Sequence, residues 1–338
     1  MLSISDVSQV IGDFLQTGSN AYKIRTDNLA IFIMTATVNN NPGLATRLVN
    51  GILAIKPLAN LAKHQARQMM IKRAEKIGVP WTKRVQELKT RDWETDLAIV
   101  KNPQVAYPDY YLKSFHAYAQ GNLNWEAALE VEVAAYAVHA GIWKESGAKG
   151  DRLLRSSYHE ILTREIPITP QTILDLGCSV GMSTFALQEV YPNAAITGLD
   201  LSPHFLAVAK YSSKERNTNI NWVHSTAEAT TLPANSFDLV TSFLMFHELP
   251  QSATQQIFQE AQRVLQPGGY LTIMDMNPKS EIYAKMPPYI LTLLKSTEPY
   301  LDDYFSLDIE SALVSAGFAP PTIVSNTPRH RTIIARKL

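Results

Sequence analysis

The chain has 338 residues, room for two domains or one large one with a sizeable core. Lys+Arg and Asp+Glu each number 31 and apolar residues make up 46%, which excludes global disorder and any whole-molecule electrostatic case for nucleic acid or anionic membrane. The single cysteine, Cys178, excludes an intrachain disulfide and a cysteine-based zinc site.

The first residues carry Asp6 and Asp13 and no Lys or Arg before Lys23, unlike a signal peptide. The longest apolar stretch, Leu29–Val38, is far short of the ~20 residues that a membrane span needs. These features predict a soluble, cytoplasmic protein with no transmembrane segment.

Residues 1–100 read as a helical domain. Apolar residues recur at three- and four-residue steps in Val7, Val10, Ile11, Phe14 and again in Leu44, Leu48, Ile52, Ile55. Pro42 and Gly43 open the second run, and Pro57 kinks or ends it. A basic amphipathic run follows over 58–77 and stops at Gly78, Val79 and Pro80. Residues 82–100 read as one further helix.

Between Arg47 and Arg91 lie 11 basic residues against Glu75 and Glu87. Such a face can be solvated, sit at a homodimer interface, or dock nucleic acid or an anionic membrane. No aromatics interleave the Lys63–Lys76 run, which disfavours RNA stacking. The expectation is a helical module that packs between two copies or forms a substrate lid, with no nucleic-acid partner.

Residues 101–169 form a mostly helical, aromatic connector with Tyr107, Tyr110, Tyr111, Tyr118, Trp125, Trp143 and Tyr158. From residue 170 to 338 short apolar runs alternate with helical ones. Strands are expected at Thr172–Leu176, Ala195–Leu199, Ile220–His224, Leu239–Phe243, Tyr270–Asp275, Thr322–Ser325 and Thr332–Arg336. Helices are expected at Ser183–Val190, Pro203–Ser212 and Ala253–Val264. This alternation predicts an α/β, doubly wound, seven-stranded Rossmann-like sheet. Only Asn326–His330 separates the last two strands, so they should form an antiparallel hairpin.

The strongest local signal is the strand that ends Asp175-Leu176-Gly177-Cys178-Ser179-Val180-Gly181 and opens into a helix. Glycines there permit a tight turn and close approach of backbone to a ligand. Asp200 follows Gly177 by 23 residues, at the tip of the second strand, where an acid can accept from ribose hydroxyls. Three readings compete. A dinucleotide loop wants G-x-G-x-x-G and fits poorly. A hydrolase elbow matches G-x-S-x-G with Ser179 as nucleophile, but it needs several preceding strands and gives Asp175 and Asp200 no role. The third reading is a site for an adenosine-containing ligand.

The third reading is supported by a resemblance. Over about residues 150–338 the sequence resembles the class I S-adenosylmethionine-dependent methyltransferases. Asp175–Gly181 looks like that family's D-x-G-x-G-x-G loop, with Ser179 in place of the middle glycine. Gly198–Ser202 resembles its ribose-binding strand end. Ser225–Glu228 with Leu232-Pro233 resembles its adenine segment, with Thr226 where an Asp is usual. Ser236–Val240 and Arg263–Gly269 resemble its later motifs, and the closest likeness is to small-molecule enzymes of quinone biosynthesis.

The resemblance implies S-adenosyl-L-methionine as cofactor and S-adenosyl-L-homocysteine as product. It implies cofactor contacts from Asp175, Gly177, Cys178, Ser179, Gly181, Asp200, Leu201, Thr226, Ala227, Glu228 and Phe243, and no metal. His247, at the C-terminal end of the fourth strand, is the candidate base, with Glu248 orienting it or acting itself. Tyr110, Tyr111, His116, Tyr158 and Phe246 are candidates for lining an acceptor pocket. The expected reaction is in-line methyl transfer to a small apolar or aromatic acceptor. An RNA or protein methyltransferase docking through the basic helices stays open, as does an enzyme that uses the cofactor without transferring methyl.

Overall fold

The computed structural model describes residues 56–338, apart from 115–117, 119 and 144. The helical runs expected at 7–14 and 44–55, and His116, lie outside the described residues.

The chain opens with α1 (Lys56–Lys76), α2 (Trp81–Lys89) and α3 (Glu94–Val100). The single helix expected over 82–100 is therefore two. Asp92 Oδ1 accepts from Glu94 N at 3.1 Å, and the Trp93 indole donates to the Leu88 carbonyl at 2.9 Å. A short polar side chain that bonds its own backbone competes with helix continuation, which accounts for the break.

The described residues between 101 and 124 are irregular rather than helical. Then come α4 (Trp125–His139) and α5 (Gly150–Glu165). Asn124 caps α4, its side chain accepting from Ala127 N at 2.9 Å. Asp151 near the start of α5 joins the two helices through His139, Nδ1 to Oδ1 at 2.7 Å.

The α/β layer follows as β1 (Thr172–Leu176), α6 (Met182–Val190), β2 (Ala195–Asp200), α7 (Pro203–Arg216), β3 (Asn221–His224) and β4 (Phe237–Phe243). It continues with α8 (Gln251–Val264), β5 (Leu265–Met276), α9 (Glu281–Ala284), α10 (Pro288–Thr297), α11 (Leu301–Ser306), α12 (Ile309–Ser315), β6 (Thr322–Ser325) and β7 (His330–Arg336). β5 begins five residues before the expected Tyr270. Its register against β4 shifts between Phe237 and Leu239, so the Pro267-Gly268-Gly269 turn is absorbed into the strand as an irregularity.

The sheet has seven strands in the order β3-β2-β1-β4-β5-β7-β6. The first five are parallel, and β7 runs antiparallel between β5 and β6, giving the expected hairpin. Strands covered on both faces read as near-continuous apolar runs. Ile173, Leu174, Leu239 and Val240 are fully buried. One face packs Ile257, Phe258 and Leu313, and the other packs Leu154, Leu162 and Leu187. Phe205 and Leu206 of α7 pack with Leu88, Trp93 and Ala128, which ties the leading helices to the sheet edge.

Strand order reverses between β1 and β4. In an open α/β sheet that switch point, at the carboxyl ends of the strands, is where a crevice forms. Among the described residues no helix is long and apolar enough to cross a membrane.

Candidate active site

A cavity of about 810 Å³ opens over the carboxyl ends of β1, β2, β4 and β5. After β1, Gly177 N and Cys178 N both donate to the Leu199 carbonyl, at 2.9 and 3.0 Å. This folds the turn back onto β2. Gly177 has φ +68°, and a Cβ there would lie 2.5 Å from Met245 Sδ. Gly181 has φ +88°, and a Cβ there would lie 2.7 Å from the Trp222 ring. Only glycine is strain-free at such angles, so both positions are closed to side chains by conformation and by space.

Ser179 takes φ +52°, and its N–H donates to Asp200 Oδ2 at 2.7 Å. Its Oγ is buried without a partner. Nothing among the described residues acts on that hydroxyl, so the hydrolase relay is not assembled here. Asp200 Oδ1 accepts from Ser202 N at 2.7 Å. Burial pushes the Asp200 carboxyl up to about 7, against the pull of those two N–H donors and helped by Glu248 and Asp175.

Asp175 is fully buried and stands off the cavity wall. Its Oδ2 accepts from Ser183 Oγ at 2.7 Å and Thr184 Oγ1 at 2.6 Å, which pins the first turn of α6 below the loop. Burial pushes it up to about 6. The Cys178 thiol faces the cavity only as a buried apolar group, and burial pushes its pKa up.

Leu201, Ala227, Glu228 and Phe243 line the same cavity, and Thr226 does not. The Thr226 hydroxyl turns to the Ala229 carbonyl at 3.5 Å. Glu228 Oε1 accepts from the Tyr110 hydroxyl at 2.6 Å, while Oε2 is buried without a partner. The glycine turn, the acid at the tip of β2 and two unpartnered polar atoms, Ser179 Oγ and Glu228 Oε2, fit a bound adenosyl group with a polar tail.

His247 and Glu248 lie on the single turn after β4 and line the cavity. His247 Nδ1 is 2.7 Å from Asp275 Oδ1, and its backbone N donates to Asp275 Oδ2 at 3.3 Å. Burial pulls the imidazole pKa down, but Asp275, Glu298 and Glu248 outweigh it and lift it to about 9. His247, Glu248 and Glu298 present ligand atoms within 4.8 Å of one another, the spacing with which side chains could hold a cation. The sequence reading expected no metal.

Of the candidate acceptor-lining residues, Tyr110 and Tyr111 are at the cavity, their rings 6.5 Å apart and perpendicular. Tyr158 and Phe246 are not, and the expectation for them is corrected. Tyr158 is 1% exposed, and its hydroxyl bonds Thr241 Oγ1 and Thr272 Oγ1 at 2.5 and 2.6 Å. That fixes α5 to β4 and β5. Phe246 is fully buried and packs on Phe258 at 5.2 Å.

Sequence reasoning missed Asp275, Glu298, Arg155, His139, Arg329 and His330, all near or on the cavity wall. Asp275 carried a usable signal, since it ends an apolar strand as Asp200 does. The others come from helices and loops with no local pattern.

Residues 173–269 match a family model described as a methyltransferase domain. An uncharacterized methyltransferase of Synechocystis is 31% identical over 162 residues, 48% of this chain and 73% of the relative. A ubiquinone biosynthesis O-methyltransferase of Nitrosomonas europaea is 30% identical over 165 residues, 47% of this chain and 68% of the relative. Among solved structures, phosphoethanolamine N-methyltransferase 2 of Haemonchus contortus, in complex with S-adenosyl-L-methionine, is 18% identical. That alignment covers 69% of this chain and 60% of that one, with a TM-score of 0.48.

Proposed function

The chain belongs to the class I S-adenosylmethionine-dependent methyltransferases, and from that premise we propose that it methylates a hydroxyl of a small, largely apolar or aromatic acceptor. The observation that carries this reading is the His247–Asp275 pair, 2.7 Å apart, at a cavity whose further wall is apolar. Met286, Ile290, Leu293 and Leu294 supply that wall, with Tyr110 and Tyr111 beside it. Pockets for small molecules are of this kind, mostly apolar with a few placed polar groups. The name of the Nitrosomonas relative, an O-methyltransferase of ubiquinone biosynthesis, supports an oxygen acceptor.

Bound S-adenosylmethionine supplies the methyl group as an electrophile. Gly177 lets the backbone approach the ligand, Gly181, off the cavity wall, lets the turn close against Trp222, and Asp200 accepts from the ligand's ribose hydroxyls. Asp175 keeps the loop and α6 in register through Ser183 and Thr184. Glu228 Oε2 takes the adenine amino contact that Thr226, turned to Ala229, does not supply. His247 Nε2 removes the acceptor's proton, while Asp275 fixes the ring's orientation and stabilises the imidazolium that forms. Much of the rate enhancement comes from positioning, which the rigid elements around the cavity provide.

His247→Asn tests the reading. Loss of a general base lowers turnover by roughly 10²–10⁴-fold, with S-adenosylhomocysteine affinity unchanged. Full turnover in the variant would leave His247 a structural residue.

A further inference from the structure

One wall of the cavity differs from the rest. His139 at the end of α4, Arg155 on α5, and Arg329 and His330 at the entry to β7 all face it. The side chains of Arg155, His139 and His330 are held in place, and Arg329 is held through its backbone. Arg155 gives two bonds to Asp151, from Nε at 2.9 Å and from the guanidinium Nη2 at 3.1 Å, and lies over the Phe243 ring at 4.4 Å. His139 Nδ1 is bound to Asp151 at 2.7 Å, and His330 Nδ1 to Thr327 Oγ1 at 2.8 Å. Arg329 N donates to Thr327 Oγ1 at 3.1 Å, and its carbonyl accepts from Asn277 N at 2.8 Å. His330 itself pairs with Met276 of β5.

The charges on this wall do not cancel. Asp151 offsets one guanidinium, that of Arg155. Arg329 forms no ion pair with any described residue. Burial holds both imidazoles below their ordinary pKa, with Asp151 opposing and Arg155 adding to this at His139, and with His139 and Arg329 adding to it and Asp275 opposing it at His330. All four groups line the one cavity. A half-buried guanidinium in a cavity that also carries apolar residues such as Ile142 and Leu244 calls for a counter-charge, and a planar carboxylate or a phosphate is the group its fork geometry fits.

We infer that this wall is an anion subsite, and that the acceptor is a small molecule carrying a carboxylate or phosphate held by Arg329, the guanidinium that Asp151 does not offset. The cofactor's own carboxylate is the competing occupant. The loop after β1 is three strand spacings from β7, roughly 14 Å at 4.7–4.9 Å per strand. A methionine tail seated over Gly177 therefore does not bring its carboxylate to Arg329. The anion would anchor one end of the acceptor at Arg329 and set the other toward His247. Only the identification of the anion's carrier as the acceptor rests on the methyl-transfer reading; the anion site itself does not.

The test is calorimetric titration of the full chain, saturated with S-adenosylhomocysteine, with benzoate, phenyl phosphate and the neutral benzyl alcohol. None of these needs to turn over. The expected result is that at least one anion binds about tenfold tighter than the alcohol, as a charge-assisted contact provides. Arg329→Gln removes the preference, and Arg329→Lys, which keeps the charge, retains part of it. S-adenosylhomocysteine affinity stays level in both variants. Equal binding of anions and alcohol by the wild type would overturn the inference. So would an Arg329→Gln protein that keeps the anion preference, or one that loses S-adenosylhomocysteine affinity instead, which would assign the wall to the cofactor. A failure to bind S-adenosylhomocysteine in the wild type would be a failure of the cofactor reading and is read separately.

Discussion

His247 Nδ1 lies 2.7 Å from Oδ1 of Asp275, a carboxylate with no solvent exposure that also accepts from Met276 N at 2.7 Å. A buried carboxylate bound on several sides cannot turn away, so the imidazole it holds presents Nε2 in one direction. The same bond determines the protonation state of His247. Asp275, with Glu298 and Glu248, lifts its pKa to about 9 despite burial.

The pH dependence of turnover follows. A base must be neutral to accept a proton, so activity rises as pH increases through the imidazole pKa. In the unliganded enzyme that pKa is about 9, and a positive sulfonium nearby lowers it. The rate profile should therefore rise on a single limb between neutral pH and about 9. Asp275→Asn removes the principal charge that raises the pKa, so the limb moves to lower pH while the maximal rate falls. A profile with the same midpoint in both proteins would contradict the assignment.

The same pair affects stability with a defined sign. The folded pKa of about 9 exceeds the ordinary 6.5, so the folded state holds a proton that the unfolded state releases first. The stabilisation is complete below 6.5 and is lost as pH rises toward about 9. At lower pH the picture is mixed, because His159 and His330 are held down to about 4 and about 3 while Asp175 is pushed up to about 6. Asp200, pushed up to about 7, still titrates at neutrality, so the clean window lies between its midpoint and that of His247. Thermal melts of the unliganded protein across it should fall more steeply for the wild type than for His247→Gln.

Tyr158→Phe separates structure from catalysis. The variant leaves Thr241 and Thr272 hydroxyls buried without their shared partner. The expected loss is about 1–3 kcal/mol of stability, read by denaturant titration. S-adenosylhomocysteine affinity and turnover per folded molecule should not change.

Gly181→Ala probes the turn. The residue's φ of +88° and the Trp222 ring 2.7 Å from the added Cβ require a shift of the loop. A left-handed alanine costs roughly 1–2 kcal/mol before that shift is counted. Stability falls by at least this much, and ligand affinity falls with it because the Ser179 N to Asp200 contact belongs to the same turn.

The architecture was largely legible because strand and helix periods alternate cleanly after residue 170. Thr172–Leu176 and Thr322–Ser325 are strands at the expected boundaries. The break in the 82–100 run is not legible because Asp92 and Trp93 interrupt a periodic pattern through local side-chain bonds that periodicity does not contain. The cradle was legible because its glycines and acids sit within one short motif. The far wall was not, because Arg155, Arg329 and His330 come together only when β7 lies beside β5. Tyr158 illustrates the opposite error. The sequence makes it a candidate for lining the acceptor pocket, yet its hydroxyl has two threonine partners inside the sheet layer.

The most direct test of the central claim is calorimetric titration with S-adenosylhomocysteine of the wild type beside Asp200→Ala and Asp200→Asn. The account predicts saturable binding to the wild type and a loss of roughly 10–100-fold in the variants, the value of one charge-assisted contact. Circular dichroism melts confirm that each protein is folded. Unchanged affinity in folded Asp200 variants, or no binding to the folded wild type, would contradict the account.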